Sequence, residues 1–250
     1  MERNSIARAA RLFVAARRTG HRLDRLPEDA RPRDDAGSLA IQRATVAELN
    51  DSVAGWKVGA TPEHGLLVGL LVRSRVFANA ADIPSRDMPM LGVEAEIAFR
   101  FDQALPRRKR DYEREEIEAA ITAFPAIEIV DSRFQDYFGT PSIERAADFM
   151  SNGGFVIGGL CPTWRSLHLP DLEACLSIDG IDRVRRVGGH PAGDPVKPVV
   201  DFMNHLGQWE DVPEGAVITT GSCTGLEFAN PGSVVAVTFE GIGSVSCHFV

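Results

Sequence analysis

The chain has 250 residues and a mass of 27.2 kDa, the size of one large domain or of a main domain with a small annex. Apolar residues make up 44% and charged residues 25%, so a substantial core can be buried without staples. The 27 Lys+Arg against 35 Asp+Glu give a net charge of −8 and a pI near 5.3, which excludes the basic footprint of a nucleic-acid binder. No apolar run approaches the roughly 18 residues of a membrane span.

Residues 3–18 read as a basic amphipathic helix with Ile6, Ala10, Phe13 and Val14 on one stripe. A membrane-surface helix shares that pattern, but packing against its own domain with a solvated basic face is the simpler reading. The segment lacks the apolar stretch of a secretory leader. Cys161, Cys175, Cys223 and Cys247 lie far apart without zinc-ligand spacing. Four reduced cysteines and a cytoplasmic location are therefore expected. Residues 20–37, rich in Pro, Asp and Arg, read as a linker. A second helix is predicted from Ser38, as N-cap, to about Val53, with Ile41, Ala44 and Leu49 inward.

From Gly55 the texture changes to short β-like runs separated by Gly and Pro. The division expected is a helical N-terminal region over 1–54 and a β-rich catalytic domain over 55–250. Residues 92–101 alternate closely, with Val93, Ala95, Ile97, Phe99 and Phe101 on one face and Glu94, Glu96, Ala98 and Arg100 on the other. The charged stretch 107–116 reads as a solvated loop. It leads into a helix carrying Ile117, Ala120, Ile121 and Phe124, stopped by Pro125. Residues 126–131 form a second alternating strand. Further strands are predicted at 154–157, 174–178, 216–220, 233–239 and 243–249, with a helix over 195–206. The fold class is α+β with a β-rich core.

Glu94, Glu96 and Glu128 sit inside strands between apolar neighbours, where a buried carboxylate is costly unless paired or bound to a metal. Residues two apart leave the same face of a strand about 6.5–7 Å apart. Two such carboxylates can close on one ion, and a third from a neighbouring strand completes one face of an octahedron. Carboxylate-only ligation selects a hard cation, Mg²⁺ or Mn²⁺. A half-solvated sheet face whose glutamates point to water is the competing reading. Asp131 competes as a ligand, but alternation puts it on the face opposite Glu128. Lys57, between glycines in GWKVGA, could reach a site, and the TTGSCTG turn at 219–225 could hold a carboxylate or phosphate. His64 could serve as a base; His190 reads as a turn residue.

Several stretches occur in one order from residue 55 to residue 249. They are GWKVGAT at 55–61, VEAEIAF at 93–99, PAIEIVDSR at 125–133, GGFVIGG at 153–159, GHP at 189–191, ITTGSCTG at 218–225 and the tail PGSVVAVTFEGIGSVSCHF. Together they resemble the fumarylacetoacetate hydrolase superfamily, in its bacterial branch of 2-keto-4-pentenoate hydratases and 4-oxalocrotonate decarboxylases. The resemblance implies a mixed β-roll core with a small helical N-terminal region, and a symmetric homo-oligomer. It implies a divalent metal held by Glu94, Glu96 and Glu128. Lys57 matches the lysine of the hydratase branch as catalytic and substrate-binding residue. Ser222 falls where the family presents a hydroxyl to the substrate carboxylate, and Arg133 falls on the family's SR pair.

The activity implied is that of a metal-dependent lyase. A small 2-oxo or 2-hydroxydienoic acid of aromatic catabolism chelates the ion, which stabilises an enolate while Lys57 holds the oxyanion or moves a proton. Hydration, decarboxylation and retro-Claisen hydrolysis share that enolate. A C–C bond hydrolase of acylpyruvate type and a non-catalytic relic of the fold remain the alternatives. The stretch 62–77 lacks the acid that hydratases carry after the lysine segment; Glu63 or His64 could replace it. Residues 146–160 lack the lysine of the acylpyruvate hydrolases, which favours the lyase branch.

Overall fold

The computed structural model describes residues 1–61, 65–206 and 210–250. Two helices come first, α1 (Arg3–Thr19) and α2 (Asp35–Leu49). α1 buries Ala9, Ala10, Phe13 and Val14, and ends where Gly20 turns left-handed at φ 73°. α2 starts earlier than the sequence suggested. The Asp34 carboxylate, a stronger cap, accepts Gly37 N at 2.7 Å. Ser38 lies inside the helix and donates to Ile143 O at 3.0 Å. The helix also stops sooner, because Asn50 takes a left-handed φ of 54° and Val53 already begins a strand.

The strands are β1 (Val53–Thr61), β2 (Gly65–Val72), β3 (Val76–Ala78), β4 (Ala81–Ile83), β5 (Gly92–Phe101) and β6 (Ile121–Val130). After them come β7 (Asn152–Ile157), β8 (Glu173–Ile178), β9 (Ile181–Val187), β10 (Val217–Ser222), β11 (Glu227–Phe228), β12 (Val234–Phe239) and β13 (Gly243–Phe249). Three short helices intervene: α3 (Arg114–Ala120), α4 (Ser142–Ala147) and α5 (Lys197–Leu206). One sheet runs β2-β1-β10-β5-β6-β7-β3, with β11 beside β5; the other runs β4-β13-β12-β8-β9. Pairing is mixed: β1 with β10, β3 with β7 and β4 with β13 are parallel, the rest antiparallel. The expected α+β class with a mixed, curled β core is what the chain adopts.

The predicted helix over 117–124 is half strand. α3 ends at Ala120, and Ile121 to Pro125 continue into β6. The apolar run satisfies both periods, and every residue from 121 to 130 is buried, as a central strand requires. Pro125 is tolerated because its carbonyl accepts Gly158 N at 2.9 Å, on the β7 side. The absent N–H points the same way, past Ile157, the last residue of β7 to pair.

The two faces of the first sheet are used differently. Val93, Ala95, Ile97, Phe99 and Phe101 of β5 join Val235, Val237, Phe239, Val245 and Phe249 of the second sheet in the main core. On the other face a smaller plug forms from Leu71, Ala98, Phe124, Ala126, Phe155 and Val217. Alternation puts Glu94, Glu96 and Glu128 on this same inner face, beyond the plug. A third cluster joins Ala9, Phe13, Leu26 and Ile41 to Phe134 and Ala147. It seats the N-terminal helices against the end of β6 and α4. Gln42 stitches this seat, donating to Val68 O and Ala146 O at 2.8 Å and accepting from Leu70 N at 2.7 Å.

Candidate metal centre

Glu94 on β5 stands directly across the ladder from Glu128 on β6, and Glu96 follows two residues along β5. One carboxylate oxygen from each lies within 4.8 Å of the others. Glu96 and Glu128 are fully buried, and Glu94 is half-buried. Burial pushes the Glu94 carboxyl up to about 7; Lys57 opposes that rise and Glu128 adds to it. Glu96 is held well above its ordinary value by burial and then by Glu128. Glu96 Oε1 is buried without a hydrogen bond. Three crowded carboxyl groups, one with an orphaned oxygen and two held above their ordinary pKa, are short of positive charge. An all-oxygen donor set of this kind fits a hard divalent cation, Mg²⁺ or Mn²⁺.

Lys57 on β1 approaches from the far side of the curl. Its Nζ is 2.6 Å from Glu128 Oε2, and it also donates to Met150 O at 3.4 Å. Burial alone would lower the Lys57 pKa, but Glu128, Glu94 and Glu96 together hold it above its ordinary value. Polar neighbours aim the acids. Thr219 Oγ1 donates to Glu96 Oε2, and Gly221 N donates to the same oxygen at 3.4 Å. Asn152 Nδ2 donates to Glu128 Oε1 at 3.1 Å. A bulge in β10 between Thr219 and Ser222 sets Ser222 opposite Glu96, and its hydroxyl opposes the upward shift of Glu94.

A cleft of about 180 Å³ leads from Lys57 to solvent, lined by Leu67, Tyr137, Arg145, Met150 and Ser151. Arg145 lies over the Tyr137 ring, 5.2 Å from its centroid, and has no carboxylate partner among the described residues. One wall is unusual: Phe149, Met150 and Ser151 are all left-handed, with φ of 55°, 52° and 60°. Gly69 of β2 lets this turn come close; a Cβ there would lie 2.8 Å from Phe149 O.

The fold thus brings Lys57, Glu94, Glu96, Glu128 and Ser222 together, and sets Arg133 apart. Arg133 is buried behind Asn152, where Nε donates to Asp148 Oδ1 at 2.6 Å and Nη2 to Asn152 O at 3.1 Å. It reaches Glu128 only through Asn152. Asp131 pairs with Arg22 and Arg133, away from the trio. His190 is a packed residue. Its Nδ1 accepts from Ala192 N at 3.2 Å, leaving Nε2 to face Thr220 Oγ1 at 3.2 Å. Glu63 and His64 lie outside the described residues.

Thr219 opens the TTGSCTG turn singled out in the sequence, whereas Asn152, Tyr137 and Arg145 carry no local sequence signal.

No family model matches the chain. The chain is 29% identical over 228 residues, 86% of its length and 83% of the other's, to the 2-keto-4-pentenoate hydratase of Paraburkholderia xenovorans (strain LB400). Its fold superposes on a 4-oxalocrotonate decarboxylase from Pseudomonas putida G7, complexed with magnesium and adipate. That match has a TM-score of 0.87 and 22% identity, covering 100% of this chain and 99% of that one. A fumarylacetoacetate hydrolase from Exiguobacterium antarcticum matches with a TM-score of 0.59 and 15% identity over 80% of this chain and 75% of that one. The chain is therefore a homologue of the 2-keto-4-pentenoate hydratases and 4-oxalocrotonate decarboxylases, built on the fumarylacetoacetate hydrolase fold.

Proposed function

We propose that the chain is a divalent-metal-dependent lyase, a hydratase or decarboxylase, acting on a small 2-oxo acid. The observation that carries this reading is the convergence of Glu94, Glu96 and Glu128, with an orphaned buried oxygen on Glu96, beside a charged Lys57 that pairs with Glu128. In this reading the three glutamates hold Mg²⁺ or Mn²⁺. The bound ion supplies a Lewis acid for the oxygens of a 2-oxo acid and for the negative charge that develops on them. The magnesium in the decarboxylase neighbour supports that assignment.

The remaining work falls to the chain's own side chains. Thr219 and Asn152 fix the carboxylates in place, so little reorganisation is needed when charge shifts. Lys57, kept protonated by its anionic surroundings, holds the oxyanion and can donate a proton rather than take one. Ser222 offers a hydroxyl to the substrate's carboxylate. The walls of the cleft exclude water from the organic tail. Arg145 at the cleft favours a tail ending in a second carboxylate, like that of the adipate in the decarboxylase neighbour. A homo-oligomer and a place in aromatic catabolism belong to the same proposal.

The test is ultraviolet-monitored turnover of 2-hydroxypenta-2,4-dienoate, 2-oxohex-3-enedioate and acetylpyruvate, with Mg²⁺ and then with EDTA. Turnover of one of the first two, lost on chelation and restored by Mg²⁺, is expected. Turnover of acetylpyruvate alone would make the chain a hydrolase. Full activity after exhaustive chelation would remove the metal from the reaction.

A further inference from the structure

A second cleft, of about 300 Å³, opens where the C-terminal end of α1 meets the loops after β2 and β6. It does not include the carboxylate trio. Six arginines line it, against two aspartates, in a chain whose net charge is −8. Arg17 and Arg22 come from the N-terminal region, Arg75 and Arg86 from turns around β3 and β4, and Arg133 from the end of β6. No local sequence feature requires this convergence; the fold assembles it.

The charges are poorly matched. Asp131 is shared by Arg22 at 3.0 Å and Arg133 at 3.4 Å, and Asp87 by Arg75 at 3.6 Å and Arg86 at 3.8 Å. Asp148, behind the cleft, takes Arg133 at 2.6 Å. Arg17 has no ion pair among the described residues. Its Nη2 donates to Asn152 O at 3.3 Å, its guanidinium lies 4.8 Å from the centroid of the Phe149 ring, and its Nε is buried without a partner. Burial and the neighbouring Arg133 pull its pKa down to about 9. Arg17 is half-buried with its Nε donor unmet, and Asp148 and Asp131 only partly offset burial and the repulsion from Arg133, so the site has room for a further anion. Ser132 on the wall accepts from Phe134 N at 3.1 Å, which leaves its own proton free for an acceptor.

We propose that this arginine-lined cleft binds a small, multiply charged oxyanion, a phosphate or a compact polycarboxylate. Guanidinium groups match the paired oxygens of both. The site is distinct from the metal centre but joined to it. Arg17 and Arg133 both donate to Asn152 O, and the Asn152 side chain donates to Glu128.

Isothermal titration calorimetry of the 250-residue chain tests this, with inorganic phosphate and separately with citrate, at constant ionic strength. Saturable binding at one site is expected in the metal-free protein. The Arg75 side chain is partly exposed, so its variants should fold. Arg75→Gln should raise the Kd about tenfold, the loss of one charge-assisted hydrogen bond, and Arg75→Glu should raise it further. Glu96→Gln, which changes only the carboxylate trio, should leave the Kd unaltered. Saturation by phosphate alone identifies a phosphate site, and by citrate alone a carboxylate site. Three results would overturn the proposal: no saturable heat with either anion, a wild-type Kd in Arg75→Glu, or binding that disappears in Glu96→Gln.

Discussion

Lys57 Nζ lies 2.6 Å from Glu128 Oε2 although their strands are not neighbours. β10 and β5 stand between β1 and β6. In a flat sheet three inter-strand spacings would separate the two backbones by about 14 Å. The side chains meet because the sheet is curled and both point to its inner face. The curl is therefore what makes the site, and its close approaches have sequence causes. A Cβ at Gly55 would lie 1.9 Å from Val217 O, so β1 can run beside β10 only with glycine there.

Lys57→Met tests the role of that amine. Turnover should fall about 100-fold or more, as when an oxyanion-holding donor is removed elsewhere. Mg²⁺ affinity should stay near that of the wild type, because the three carboxylates remain. Calorimetric Mg²⁺ titration beside steady-state kinetics separates the two effects. Wild-type kcat in the variant would take Lys57 out of the chemistry.

Glu96→Gln should weaken Mg²⁺ binding roughly 10–100-fold. The wild type adds a pH signature. Glu94 is raised to about 7 and Glu96 lies well above its usual range. In the metal-free protein the folded state therefore holds more protons than the unfolded state from about pH 4.5 up to 7. That part of the stability is present at low pH and is lost as pH rises. Mg²⁺ must displace those protons, so its affinity should climb across the same range. An affinity independent of pH between 5 and 8 would contradict the assignment.

Arg133→Met should act through stability. Breaking the buried pair with Asp148 costs about 3–5 kcal/mol, a fall in Tm of roughly 10 °C in a chain this long. If the melting temperature holds and only KM rises, Arg133 touches substrate after all.

Arg145→Met should raise KM for a dicarboxylic 2-oxo acid about tenfold or more, the loss of one charged contact. It should leave KM for the monocarboxylic analogue nearly unchanged. Equal effects on both would deny Arg145 a part in choosing the substrate's far end.

His190 gives an opposite, acid-side dependence. Burial lowers its pKa from 6.5 to about 4, so between those values the unfolded state binds the proton and the folded state does not. This contribution is intact above pH 6.5 and is lost as pH falls to about 4, on the order of 3 kcal/mol. Melting curves of wild type and His190→Asn from pH 7 to 4 should converge toward the acid end. Parallel curves would show that His190 does not titrate there.

What could be read in the sequence was what breaks a local pattern. Glu94, Glu96 and Glu128 stood out because a strand with apolar flanks should not carry them. The strands 92–101 and 243–249 were legible because they alternate closely. Pro125 misled because the run before it satisfies both periods, and only its position past β7 makes it harmless in a strand. The edge strand β9 escaped because its residues are nearly all exposed and four of the seven are charged, so no buried face alternates along it. Asn152, Tyr137, Arg145 and the arginine cleft acquire meaning only from contacts between distant segments, which no local spacing encodes.

The left-handed turn at Phe149–Ser151 carries one more implication. Three successive residues with side chains sit in a conformation that costs each roughly 1–2 kcal/mol, held there by Gly69 and by the packing of Phe149. A segment under such tension should let go before the rest of the protein does. Heating or mild urea should thus abolish the proposed turnover while circular dichroism still reports an intact sheet. Once Met150 O swings away, Lys57 loses its second anchor while most of the molecule remains folded.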